Sequence, residues 1–202
     1  MRSLRSATVA FLAPPFFAGI FALPSMAHAA GGTISGKVEA APAKYLPETV
    51  VYLKDVPGST PPKEKEKMDQ KGMTFIPHVM AITVGDTVTF LNSDSVPHNV
   101  FSPDKGGYNL GTFEGGKSAE HVFDKAGAFS QLCSIHPEML GYLYVSPNQY
   151  HAVVDAKGAW KIENVPPGNY KVEVWNPKLK ATEQSATVVE GKTADVNFSL
   201  KR

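Results

Sequence analysis

The sequence predicts an all-β protein of two small β-sandwiches. Short runs rich in Val, Ile, Thr, Tyr and Phe recur along the chain, divided by Gly, Pro and Asp turn signals. No stretch of the mature chain holds a helical period of useful length. The 202 residues suit one or two small domains.

Taken in order, the chain opens as a secretory signal. Arg2 and Arg5 precede a largely apolar run over residues 9–23, broken by Pro14 and Pro15, and Ala27-His28-Ala29 offers small residues for cleavage near Ala29. The expected location is the periplasm, with residues 1–29 removed. No later run approaches the roughly twenty apolar residues of a membrane span. Cleavage removes two of the 20 basic residues and none of the 19 acidic ones, so the mature net charge is near −1 with histidines neutral. That balance gives no electrostatic reason to expect nucleic acid or anionic lipid.

Residues 30–66 read as N-terminal strands and linker. Residues 32–39 alternate as a strand, 49–54 are β-branched and aromatic, and 57–72 are rich in Pro, Lys and Glu, so Lys63-Glu64-Lys65-Glu66-Lys67 reads as a solvated linker. Residues 67–147 form a second unit. Residues 79–84 and 87–92 flank Gly85-Asp86 and predict a hairpin. Residues 96–102 follow as a strand, 103–116 as a Gly-rich loop, 119–123 and 129–132 as strands, and 142–145 closes the unit. Residues 148–202 repeat the style, with strand-like runs at 151–155, 160–162, 170–175, 186–189 and 194–200 around Asp155-Ala156-Lys157-Gly158 and Pro166-Pro167-Gly168 turns.

The chemistry lies in Cys133-Ser134-Ile135-His136-Pro137-Glu138-Met139, with Pro97-His98-Asn99-Val100 upstream. The single cysteine of an exported chain makes no internal disulfide, and left free it invites oxidation or an intermolecular bridge, so ligation is favoured. A thiolate, two imidazoles and a weak thioether are the set that suits copper in electron transfer. Cys133, His136 and Met139 supply three of them from one loop, and His98 is the candidate for the fourth.

On these motifs residues 73–145 resemble the plastocyanin-like cupredoxins, and the Cys-x-x-His-Pro-x-Met spacing is most similar to that of the amicyanin type. The resemblance implies a Greek-key cupredoxin sandwich holding one type 1 copper, with His98, Cys133 and His136 as strong ligands and Met139 as axial ligand. It implies that the Asn99 backbone N–H donates to the Cys133 sulfur. It also implies transient docking of protein redox partners near His136. Leu132 stands where an aromatic residue often precedes the cysteine, and Ile135 where proline is common, which bears on the potential and the electron path. His78 leaves two placements open from its residues, near the copper or in a surface metal site, and the matching cupredoxin position is not a ligand. His121 and His151 read as exposed strand residues.

The flanks resemble carboxypeptidase-regulatory-like domains. Gly32-Thr33-Ile34-Ser35-Gly36-Lys37-Val38 with Val50-Val51-Tyr52-Leu53 is similar to their first half, and residues 155–160 with 165–170 to their second. The expectation is one small antiparallel sandwich split by insertion of the copper unit.

The function expected is a periplasmic blue copper protein carrying single electrons. Copper storage or delivery without redox shuttling is the alternative, with a preference for Cu(I) and no intense thiolate-to-Cu(II) band. A copper enzyme needs further histidine clusters such as His-x-His, which the sequence lacks, so no enzyme is expected.

Overall fold

The computed structural model describes residues 31–58 and 63–202. The expected signal segment lies outside the described residues. Among those described, helix is limited to one 3₁₀ turn over Ala43–Glu48. No helix there is long and apolar enough to cross a membrane.

The chain begins with β1 (Gly32–Ala40) and β2 (Val50–Leu53). The ligand-bearing unit follows as β3 (Lys65–Gln70), β4 (Phe75–Ile76), β5 (Val79–Thr83), β6 (Thr87–Asn92), β7 (His98–Phe101), β8 (Asn109–Phe113), β9 (Ser118–Val122), β10 (Gly127–Leu132) and β11 (Leu140–Ser146). The remaining strands are β12 (His151–Val153), β13 (Ala159–Val165), β14 (Gly168–Trp175), β15 (Gln184–Val188), β16 (Thr193–Asp195) and β17 (Phe198–Leu200).

Two sheets enclose the ligand-bearing unit, in the orders β5-β11-β10-β7-β8 and β4-β3-β6-β9. The chain changes sheet between β4 and β5, β5 and β6, β6 and β7, β8 and β9, and β9 and β10. Their facing sides bury Met68, Phe75, Ile82, Phe90, Phe123, Phe129, Leu143 and Val145. Each large apolar side chain enclosed in this way contributes roughly 2–3 kcal/mol of transfer free energy. The core is continuous with Cys133 and Met139 at one end.

The other strands form two further sheets, β12-β2-β14-β15 and β13-β1-β16 with β17 also on β1. Their core joins Ile34, Val38, Leu53, Trp160, Ile162, Val172 and Phe198. The partners of β1 are β13, β16 and β17, and those of β2 are β12 and β14. All come from residues beyond 150.

Strand β11 serves the ligand-bearing core on one face and a smaller, separate cluster on the other. Successive side chains on a strand point to opposite faces, so Leu143 and Val145 enter the ligand-bearing core while Tyr142 and Tyr144 pack outward with Val50 and Val79. Trp175 covers that outer face, its ring stacked on Tyr144 at 5.4 Å and edge-on to Tyr142 at 5.8 Å between centroids.

Several expectations are corrected. Lys65, Glu66 and Lys67, expected within a solvated linker, lie in strand β3, which pairs in parallel with β6 from Lys65↔Thr87 to Gln70↔Asn92. Lys65, Glu66 and Lys67 are exposed and only Met68 and Gln70 are buried, so the first half shows no apolar alternation. Residues 79–92 are not a hairpin, because β5 pairs with β11 and β6 with β3 and β9. The Asp86 carboxylate accepts from the Thr83 and Glu64 N–H groups, tying the turn to both sheets. Gly85 takes φ +97, a conformation that side-chain-bearing residues rarely adopt. Residues 103–116 are not all loop, since β8 lies within them, mostly exposed and held through β7. The second sandwich is not purely antiparallel, because β1 runs parallel to β16 and β17.

Candidate metal centre

The pairing of β10 with β11 fixes the ligand loop at its ends. Leu132 faces Leu140 across the ladder, so Cys133 and Met139 are the first and last residues of a loop that cannot open without breaking the sheet. Inside it the Met139 N–H donates to the His136 carbonyl at 3.0 Å, making a tight turn. A bridge from Leu132 to Phe101 joins this end of β10 to β7, which starts at His98.

Those constraints bring three donors together. The Cys133 sulfur and the nearest ring nitrogens of His98 and His136 all lie within 4.8 Å of one another. The two histidine Nδ1 atoms are 3.0 Å apart, and the sulfur is 3.8 Å from His136 Nδ1. His98 is fully enclosed, Cys133 is buried and His136 is half-buried. Met139 is buried in the same apolar cluster as Cys133.

Asn99 locks the arrangement. Its backbone N–H points at the Cys133 sulfur at 3.4 Å, and its side-chain oxygen accepts from the Ser134 N–H at 3.3 Å. Its amide nitrogen donates to Asn109 Oδ1 and to the Gly111 carbonyl, both at 2.9 Å. One residue therefore ties β7, β8 and the ligand loop.

Asp94 was not found from the sequence, where it is one acid among nineteen. Its Oδ2 lies 2.8 Å from His98 Nε2. The Met73 and Gly72 N–H groups donate to the same carboxylate, and with the His98 contact they push its carboxyl down to about 2. An ionised carboxylate only accepts, so His98 carries its proton on Nε2 and turns the Nδ1 lone pair toward His136. The readable signal was its position four residues before His98.

The donor set fits a metal. Two imidazole nitrogens 3.0 Å apart can both turn a lone pair on one ion, and the thiol beside them selects a soft one. A thiolate with two imidazoles is a copper donor set, closed on its inner side by apolar residues.

The other histidines lie elsewhere. His78 is outside the three-donor group, edge-on to Tyr142 and 3.8 Å from a Glu48 oxygen. His121 is not a plain exposed strand residue, since its ring stacks on Tyr108 at 3.9 Å. His151 sits mostly enclosed, 3.2 Å from the Thr83 hydroxyl, and burial holds its pKa below the usual histidine value.

Residues 62–146 match the family model of copper binding proteins of the plastocyanin/azurin family. Residues 144–201 match that of the carboxypeptidase regulatory-like domain. No curated protein matches the chain. Among solved structures, a novel purple cupredoxin from Nitrosopumilus maritimus is 33% identical over 40% of this chain and 99% of its own, with a TM-score of 0.37. A Cu(I) form of a mutant amicyanin is 24% identical over 41% of this chain and 82% of its own, with a TM-score of 0.38. A copper-containing nitrite reductase from Thermus scotoductus is 26% identical over 46% of this chain and 25% of its own, with a TM-score of 0.39.

Proposed function

Residues 62–146 are a copper-binding domain of the plastocyanin/azurin family, a group suited to electron transfer, and on that premise we propose that this protein is a periplasmic type 1 (blue) copper carrier shuttling single electrons between protein partners. One observation carries the reading: the buried Cys133 sulfur and two histidine Nδ1 atoms converge at one end of a rigid β-sandwich. Copper, when bound, supplies a one-electron couple. His98, Cys133 and His136 are its strong ligands, and Met139 is the thioether. The Asn99 N–H tunes the thiolate by donating to it, and Asp94 holds the His98 ring in the tautomer that can bind. The ladder between β10 and β11 prevents the loop from relaxing with the charge on the metal, which keeps reorganisation small.

Partners dock at the same end. Met73, Val96 and Ile135, on loops, and Ile76 at the end of β4 are each between 42% and 48% exposed. Exposed apolar side chains of this kind suit a small, fast-dissociating interface. The molecule is a carrier with no bond-making step of its own. Its domain plan in this reading is a regulatory-like sandwich made of β1, β2 and the strands after residue 150, interrupted by the copper domain. The pairing of β1 with β13, β16 and β17 supports that plan.

The test is the visible spectrum of the purified, copper-loaded, oxidised protein. The expected result is an intense thiolate-to-Cu(II) band that is absent from Cys133→Ala. A colourless protein with copper bound contradicts the proposal and favours storage or delivery.

A further inference from the structure

The junction between the two sandwiches holds a series of aromatic rings in contact. Tyr142 stands on β11 three residues after Met139, and across the ladder from Ser130 on the strand that ends just before Cys133. Its ring meets Trp175 at 5.8 Å, Trp175 stacks on Tyr144 at 5.4 Å, and Tyr144 meets Tyr52 at 4.9 Å between centroids. Neighbouring rings are thus in contact throughout. The series ends with a proton acceptor. The Tyr52 hydroxyl donates to Glu173 Oε2 at 2.5 Å, and Lys54 holds the other oxygen of that carboxylate at 3.0 Å. Glu173 is partly exposed, so this end reaches the surface of the second sandwich. The residue before Cys133 is Leu132, so no aromatic ring leaves the cysteine directly.

We propose that Tyr142, Trp175, Tyr144 and Tyr52 form a redox relay between the metal end of β11 and the second sandwich, with Tyr52 as its proton-coupled terminus and Glu173 as the acceptor of the Tyr52 proton. The proposal rests on the copper reading above for what lies at the Tyr142 end. A high-potential one-electron oxidant at the surface takes one electron from Tyr52. The phenolic O–H breaks, its proton forms a bond to Glu173 Oε2, and a neutral phenoxyl is left beside a carboxylic acid. Reduced copper held at the Tyr142 end would supply one electron along the stack, going from Cu(I) to Cu(II); that electron refills the phenoxyl, and the proton returns from Glu173. One electron crosses the junction and no proton is lost.

The test is flash oxidation of the full chain by a photogenerated ruthenium(III) polypyridyl complex, read by transient absorption and electron paramagnetic resonance. In metal-free protein a neutral phenoxyl is expected, and Tyr52→Phe, which removes only a hydroxyl, should abolish the fast-forming signal. Glu173→Gln should slow its formation about a hundredfold, the usual worth of a positioned proton acceptor. In protein loaded with reduced copper the phenoxyl should decay faster than in metal-free protein, and Trp175→Phe, which keeps a ring but resists oxidation, should restore the slow decay. A signal unchanged in Tyr52→Phe or Glu173→Gln, or a lifetime indifferent to copper, overturns the relay. Failure to bind copper would show in metal analysis and would count against the copper reading. The metal-free comparisons would still decide the roles of Tyr52 and Glu173.

Discussion

The two sandwiches solve the same packing problem and differ at one end. The second buries a continuous apolar core, from Ile34 and Val38 through Leu53 to Trp160 and Phe198. The ligand-bearing unit has an equivalent core, yet at its end it buries His98 completely and places Cys133 and Asn99 beside it. A buried imidazole is costly unless its polar atoms are satisfied. Asp94 meets one nitrogen of His98, and the other faces His136 and the sulfur. The difference teaches that function here is a local exception to an otherwise ordinary core, held in place by strand pairing that the rest of the sandwich provides.

Substitutions in each region test that contrast. Cys133→Ala should have the largest effect: it removes the intense visible band and the stable reduction potential together, while circular dichroism still reports a folded β protein. Retention of the band would take Cys133 out of the site. Phe198→Ala should do the reverse. It leaves a cavity against Trp160 in the second core and should cost about 3–5 kcal/mol in denaturant unfolding, with the copper spectrum of the folded protein unchanged. A shifted spectrum would mean that the two regions are less separate than their cores suggest.

Asp94→Asn is a smaller change at the shared logic of the site. The amide no longer enforces the Nε2–H tautomer of His98, and copper affinity should fall about 10–100-fold in a competition titration. Equal affinity would reduce Asp94 to a loop anchor for Gly72 and Met73. The smallest effect expected is at the junction. Burial depresses the His151 pKa, so the unfolded chain takes up a proton at higher pH than the folded one does. This contribution to stability is fully present above the ordinary histidine pKa of about 6.5 and is lost as the pH falls below it. His151→Gln should flatten that part of the stability profile, as measured by thermal unfolding between neutral and mildly acidic pH.

The parts legible in the sequence were those written locally. Cys133, His136 and Met139 share one loop, so their spacing announced the site, and His98 stood out beside Asn99. Strands with alternating or β-branched residues, such as β6 and β14, also declared themselves. Partners chosen across the fold did not. Nothing in residues 79–92 says that β5 pairs with β11 some sixty positions later in place of its neighbour β6. Strand β3 hid because its first three residues are exposed charges, with Lys65 paired to Glu120 across the sheet at 2.6 Å. Asp94 acts through a hydrogen bond that exists only once the 93–97 loop is folded. His121 and His151 looked exposed because burial by Tyr108 or by Thr83 depends on neighbours distant in sequence.

X-ray absorption at the copper edge of the loaded, full-length protein tests the central claim most directly. One short sulfur scatterer with two imidazoles around a single copper is expected, with loss of the sulfur shell in Cys133→Ala. A first shell of nitrogen and oxygen alone, unchanged by that substitution, would contradict it.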